Sequence, residues 1–94
     1  MIELIWDEKF IKILKKWNKK HPEQIKNFET KLNLFINNPF HNSLKTHGLS
    51  GNLKGYWALS INYEQRLIFK FISDDKVLLI DIGTHDIVIC LNQH

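Results

Sequence analysis

Four side chains between residues 47 and 85 are of the types that catalyse acid–base chemistry on phosphate esters. His47 and His85 supply imidazoles, Glu64 a carboxylate and Arg66 a guanidinium group. When RNA is cleaved without a metal, a base takes the proton of the 2′-hydroxyl, a cation stabilises the phosphorane, and an acid protonates the departing 5′-oxygen. The four residues are therefore candidates for phosphoryl transfer on RNA.

Arg66 is the only arginine, although the chain has 13 basic residues in all. A guanidinium group can form two parallel hydrogen bonds with a phosphate, whereas a lysine ammonium acts as a point charge. We therefore expect Arg66 at a position where lysine cannot replace it.

Each candidate also has a structural interpretation. His47 lies in a glycine-rich segment, where it could cap or bridge a loop, and His85 could belong to a turn with Asp86. Glu64 and Arg66, two residues apart, could form an exposed ion pair that contributes little to stability. Residue types and spacing alone leave both interpretations open.

Length and composition set the limits within which this chemistry must fit. The chain has 94 residues, 44% of them hydrophobic, which allows one domain (1–94) with a core and excludes a dinucleotide-binding fold or a TIM barrel. Phosphate-binding and dinucleotide-binding glycine motifs are absent from the sequence, and the five histidines lack the spacing of a helical zinc site. We expect neither a cofactor nor a metal.

The sequence favours a cytoplasmic protein. Cys90 is the only cysteine, so an internal disulfide is excluded. Acidic residues at positions 3, 7 and 8 do not fit the basic start of a signal peptide, and hydrophobic runs long enough to span a membrane are absent. The net charge of +3 is uneven, because residues 1–53 carry +4 and residues 54–94 carry −1.

Two helices must follow a short first strand at residues 2–6. Asp7 can cap a helix over residues 8–20, whose apolar residues fall on one face and whose lysines fall on the other. Pro22 marks the first turn of a second helix, which Asn37-Asn38-Pro39 ends. The short connection predicts an antiparallel helix hairpin.

Three strands of an antiparallel meander then carry the candidate residues. Residues 40–53 are typical of a loop, and strands are predicted at 56–61, 66–72 and 77–82, where Gly83 interrupts the last. Residues 87–91 can continue as strand. The order β-α-α-β-β-β predicts an α+β fold with a helix hairpin packed on a small antiparallel sheet, whose other face meets solvent, a ligand or a partner.

Three segments resemble the RelE/YafQ-type toxins of bacterial type II toxin–antitoxin modules: residues 47–57, residues 61–70 and residues 82–86. The resemblance implies the same fold, an mRNA endonuclease that is often ribosome-dependent, and inhibition by a cognate antitoxin. It also implies a 2′-hydroxyl attack that leaves a cyclic phosphate.

The resemblance also implies roles for particular residues. Arg66 matches a catalytic arginine that binds phosphate, while His47 and His85 match histidines of the family's two motif loops. His85 is expected to be the general acid, and either His47 or Glu64 the base. The residues expected to bind RNA are Lys45, Lys54, Trp57 and Lys70.

The chain departs from the family pattern at three positions. Ser60 stands where YafQ-like toxins have a second histidine, Glu64 where they have an aspartate, and Ile89 where many relatives have an aromatic residue. Two alternatives to the ribonuclease follow. One is a ParE-like inhibitor of DNA gyrase, which would not need the two histidines, and the other is a catalytically weak homologue that only binds an antitoxin.

Overall fold

Two helices and a five-stranded sheet make up the part of the chain that a computed structural model describes, residues 1–84. The sheet order is β1-β5-β4-β3-β2, in which β1 runs parallel to β5 and the other neighbours are antiparallel. This arrangement confirms the predicted α+β class. The elements are β1 (Glu3–Ile5), α1 (Glu8–Lys20), α2 (Ile25–Asn37), β2 (His47–Gly48), β3 (Trp57–Ser60), β4 (Gln65–Phe71) and β5 (Lys76–Thr84).

The first helix begins and ends where the sequence predicts. The Asp7 carboxylate accepts a hydrogen bond from the Phe10 N–H at 2.8 Å, which satisfies one backbone donor of the first turn. The second helix ends at Asn37 as predicted, but its predicted first turn at Pro22 is wrong. Pro22–Gln24 forms a 3₁₀ turn instead, and regular α-helix starts only at Ile25. Within residues 1–84, helices long and apolar enough to cross a membrane are absent.

Two details of the sheet differ from the expectation, and a third prediction is not tested. The segment predicted as loop contains a two-residue strand, His47–Gly48, which is too short for any periodicity to reveal. Gly83 does not interrupt the last strand, because its backbone is not in the left-handed region and it pairs directly with Arg66. The predicted strand at residues 87–91 lies outside the described residues.

The first strand is parallel to its neighbour, so the sheet is not wholly antiparallel. Glu3, Leu4 and Ile5 pair with Lys76, Val77 and Leu78 at one edge of the sheet. The connection from β1 to β5 contains both helices and the strands β2 to β4, and a long connection is what parallel neighbours require, since a tight turn joins only antiparallel strands.

The main core lies between the helices and one face of the sheet. Phe35 of α2 meets Phe69 of β4 edge to face, with ring centroids 4.9 Å apart, and both side chains are fully buried. Trp17 of α1 contacts Phe28 of α2 at 5.9 Å between ring centroids. The Trp17 indole N–H also donates to the Gln65 side-chain oxygen at 2.9 Å, a buried hydrogen bond that ties α1 to the start of β4.

The opposite face of the sheet is not an open surface at its centre. Ala58 and Ile68 are direct partners across β3 and β4, are almost fully buried, and lie outside the main core cluster. Leu53, in the loop before β3, is also buried outside that cluster. We call this side of the sheet, turned away from the helices, the site face. Its exposed positions lie around the buried centre.

Candidate functional site

Strand pairing places Arg66 on the site face. Arg66 stands opposite Ser60 of β3 and opposite Gly83 of β5. Because side chains alternate along a strand, it shares this face with Ile68, while Gln65 points the other way to bond Trp17. The buried Gln65 therefore fixes the strand that presents Arg66, and Gly83 leaves space on one side of it.

Arg66 is half-buried and has no ion-pair partner within residues 1–84. Its Nε is shielded from solvent and has no hydrogen-bond acceptor, and among residues 1–84 no carboxylate lies within ion-pair distance of Arg66. The exposed Glu64–Arg66 ion pair that the spacing allowed is therefore not formed. A guanidinium group without an ion-pair partner can hold an anionic ligand through its terminal nitrogens.

His47 lies on the same face, two strands away. It pairs with Ala58, which in turn pairs with Ile68, so its side chain is on the Arg66 side of the sheet. Strand spacing places the backbones of His47 and Arg66 about 12 Å apart, a gap that a ribose phosphate and two extended side chains can fill. His47 is exposed.

The tautomer of His47 follows from one hydrogen bond. Its Nδ1 lies 2.8 Å from the Lys45 carbonyl oxygen, which can only accept, so Nδ1 carries the proton. In the neutral ring Nε2 then has a free lone pair. Lys45, two residues before His47, adopts a left-handed backbone conformation with φ 52°.

Glu64 lies in the tight turn between β3 and β4. The Asn62 side-chain oxygen accepts hydrogen bonds from the backbone N–H groups of Glu64 and Gln65, at 2.8 and 2.7 Å. The Ser60 hydroxyl donates to the Asn62 carbonyl oxygen at 2.7 Å. Ser60, at the position where the resemblance leads us to expect a second histidine, therefore stabilises this turn through its hydroxyl group. Glu64 is exposed beside Arg66 in the chain.

The remaining predicted site residues are divided between several places. Lys45 is exposed two residues before β2, and Lys54 is exposed directly after the 3₁₀ turn at residues 51–53. Lys70 is exposed on the site face. The Lys70 ammonium group lies over the Tyr56 ring, 5.2 Å from its centroid. His85 lies outside the described residues.

Trp57 is on the other side of the sheet. It pairs with Phe69, packs against the main core, and meets Phe40 and Phe71 with ring centroids 5.8 and 5.2 Å apart. The three aromatic rings line a surface groove of about 420 Å³ together with Ser73 and Asp74. The structure therefore does not bring Trp57 together with His47 and Arg66.

Tyr56 is the site-face aromatic residue that the sequence interpretation did not select. The signal was present, because alternation along residues 56–60 separates Tyr56 and Ser60 from Trp57. Choosing between the two aromatic residues required knowing which face the helices cover.

Among residues 1–84, Asp81 of β5 is the ionisable group whose pKa is shifted most clearly by its environment. Burial raises its pKa, while a hydrogen bond from the Ile82 backbone N–H and the charge of Lys9 both act to lower it. The Ile82 N–H donates to the Asp81 carboxylate at 2.8 Å. Asp81 pairs with Ile68, beyond which the register shifts by one residue, so a β-bulge lies next to it.

The helix pair on a mostly antiparallel sheet is the fold that the resemblance to RelE/YafQ-type toxins implies. The family model described as the bacterial toxin of a type II toxin–antitoxin system, YafQ, matches residues 2–89. The chain therefore belongs to the YafQ family of type II toxins, which confirms the resemblance seen in its motifs.

Solved structures show the same fold at low sequence identity. YafQ from E. coli strain BL21(DE3) has a TM-score of 0.75 and 23% identity, covering 94% of this chain and 98% of that one. E. coli YafQ in its complex with DinJ has a TM-score of 0.73 and 23% identity over 94% and 98% of the two chains. A YoeB/ParE toxin from Agrobacterium tumefaciens has a TM-score of 0.69 and 20% identity over 89% and 99%. A comparison with curated protein sequences gives no significant match.

Proposed function

We propose that this toxin is an mRNA endoribonuclease that acts without a metal on ribosome-bound message and is neutralised by a cognate antitoxin. The observation that supports this most strongly is the state of Arg66. Within residues 1–84 the half-buried Arg66 has no ion-pair partner and its shielded Nε has no hydrogen-bond acceptor, a cost that an anion bound by the guanidinium group would offset. A phosphate diester in RNA is an anion that suits its planar geometry.

In the proposed reaction His47 is the base. Its Nε2 lone pair takes the proton of a ribose 2′-hydroxyl, and the resulting oxygen attacks the adjacent phosphorus. The O2′–P bond forms and the P–O5′ bond breaks, which yields a 2′,3′-cyclic phosphate and a free 5′-hydroxyl. Arg66 stabilises the extra negative charge of the phosphorane between these steps.

The other two candidates complete the proton transfers. We assign His85 as the acid that protonates the leaving 5′-oxygen, on the strength of its motif in the family pattern. Glu64 is exposed at the hairpin turn next to Arg66, where it can orient the substrate or hold a water molecule. The favoured base is His47 rather than Glu64, since the bond from Nδ1 to the Lys45 carbonyl orients the His47 ring and leaves Nε2 as the acceptor of its neutral form.

An antitoxin is the expected protein partner, and it would act with the toxin in the cytoplasm. Solved structures include E. coli YafQ with DinJ and a YoeB–YefM complex from Staphylococcus aureus. The present chain exposes six lysines along α1, which an acidic antitoxin segment would complement. Such a segment would fold as it binds.

The test is expression in a bacterial host, with growth and mRNA integrity followed together. The wild type is expected to arrest growth and to cut mRNA, and Arg66→Ala is expected to restore both growth and intact message. Co-expression of the antitoxin should protect the cells from the wild type. Harmless wild-type protein and intact RNA in a translating extract would refute the proposal.

The same cells distinguish the two alternatives. Growth arrest with intact mRNA, together with inhibition of gyrase in a supercoiling assay, would identify a ParE-like activity. Antitoxin binding with no toxicity at all would identify a catalytically inactive homologue. Toxicity that His85→Ala abolishes would exclude that last outcome.

A further inference from the structure

The site face carries an aromatic ring at the end away from Arg66. Tyr56 immediately precedes β3, and extending the register one residue beyond the Trp57–Phe69 pair places it across from Lys70 of β4. The Lys70 ammonium group lies over the ring at 5.2 Å from the centroid, a cation–π contact in which the ring is half-buried and the lysine exposed. The Tyr56 ring is thus partly open to solvent, and an exposed, charged side chain lies over it.

The chain turns sharply just before Tyr56. Gly55 has φ 100°, a conformation that favours glycine, and a Cβ there would lie 3.9 Å from the Lys70 side chain. The backbone therefore turns sharply just before the ring. Lys54, on the other side of Gly55, adds a second exposed cation.

The Tyr56 ring and the proposed cleavage centre lie near opposite ends of β4, on the same face of the sheet. Arg66 and Lys70 are four residues apart on β4, which corresponds to about 13 Å along the strand. His47, Arg66 and Lys70 all belong to the site face, so a single strand of RNA can pass from one to the other. The two ends lie on either side of the buried pair Ala58 and Ile68.

We propose that Tyr56 is a base-stacking platform for a nucleotide next to the cleaved phosphate, with Lys70 moving from the ring to an RNA phosphate when the base stacks. This subsite rests on the proposed ribonuclease function and adds a nucleobase contact to it. Aromatic rings bind bases of single strands by stacking, and a neighbouring cation neutralises the backbone charge. Trp57, on the opposite face among Phe40 and Phe71, does not take this role.

The first experiment measures cleavage in a translating extract over a range of message concentrations. Tyr56→Leu is expected to raise the apparent KM about 5- to 150-fold, because stacking on an aromatic residue contributes that much to affinity. The kcat at saturating message should change little, since the ring does not touch the reacting atoms. Tyr56→Phe, which keeps the ring, should behave as the wild type.

The matched control is Phe40→Leu, which removes an exposed aromatic residue from the other side of the sheet. It should leave KM unchanged. The idea is overturned if Tyr56→Leu keeps the wild-type KM, or if Tyr56→Phe loses activity as fully as Tyr56→Leu, which would point to the hydroxyl group. Thermal melting of each variant separates these outcomes from loss of folding.

A second experiment does not depend on cleavage. A short RNA with all 2′-hydroxyls methylated and with 2-aminopurine as the fluorescent base cannot be cut, and its fluorescence falls when that base stacks. The wild type should quench it, Tyr56→Leu should not, and Lys70→Met should lower the salt dependence of binding by about one counterion. Quenching without cleavage in the extract would support the Tyr56 subsite and refute the ribonuclease activity. Cleavage with equal quenching by the wild type and Tyr56→Leu would support the ribonuclease activity and refute the subsite.

Discussion

Replacing Arg66 with methionine is expected to make the protein more stable and far less active. Methionine keeps much of the arginine's aliphatic stem, so its packing beside Ser60 and Gly83 is largely retained. What it removes is a partly buried guanidinium group whose Nε has no hydrogen-bond acceptor. The substitution therefore separates a structural role of Arg66 from a role in binding phosphate.

The size of both effects follows from the surroundings of the group. A buried donor without a partner costs about 1–3 kcal/mol, and since Arg66 is only half-buried we expect the lower part of that range, about 1 kcal/mol, to be recovered. For a domain of this size that corresponds to a rise in Tm of about 4–8 °C. Removing a group that stabilises transition-state charge lowers the rate by about 10²–10³.

Urea unfolding, thermal melting and RNA cleavage by the same purified variant measure these quantities. Lys12→Met, which also exchanges a cation for methionine but on the exposed side of α1, is the control and should shift stability by less than about 0.5 kcal/mol. A loss of more than 1 kcal/mol in Arg66→Met with cleavage retained would refute the reasoning, because Arg66 would then be structural.

Three further predictions concern residues of the strands and the loop around the candidate site: Asp81, Gln65 and Gly55. Asp81→Asn should raise Tm at pH 7: burial raises the Asp81 pKa, so between the ordinary value of 3.8 and that raised pKa the native state binds more protons than the unfolded state, and the wild type loses stability as pH rises through this range. The difference in Tm should vanish below this range, and a constant difference would contradict the assignment. Gln65→Leu should cost about 1–3 kcal/mol in urea unfolding, because it leaves the buried Trp17 N–H without its acceptor; an unchanged midpoint would show that the hydrogen bond is dispensable. Gly55→Ala should destabilise by about 1 kcal/mol or more because of its positive φ, whereas Gly48→Ala, whose new methyl group would meet the Trp57 ring at an ordinary 3.8 Å, should be tolerated.

The helices and the meander could be predicted because their signals are local. Asp7 caps α1, apolar residues recur at helical spacing, and strands β3 to β5 show alternation or apolar runs between polar turns. The parallel pairing of β1 and the two-residue strand β2 could not be predicted, because both depend on contacts between distant segments.

The candidate site was predicted as a set of residue types rather than as an arrangement. Arg66 and His47 do share one face, and that follows from strand register, which the sequence does not determine where a strand has only two residues. Trp57 and Tyr56 are adjacent in the chain and point to opposite faces. Only the position of the helices decides which of them lies on the same face of the sheet as Arg66.

The most direct test of the central claim is to map the ends of mRNA fragments in a translating extract that receives the wild type or Arg66→Met. We predict fragments with 2′,3′-cyclic phosphate and 5′-hydroxyl ends for the wild type, and a yield about 10²–10³ lower for Arg66→Met. Intact message with the folded wild type, or equal cleavage by both proteins, would contradict the claim that Arg66 holds the phosphate of an RNA substrate.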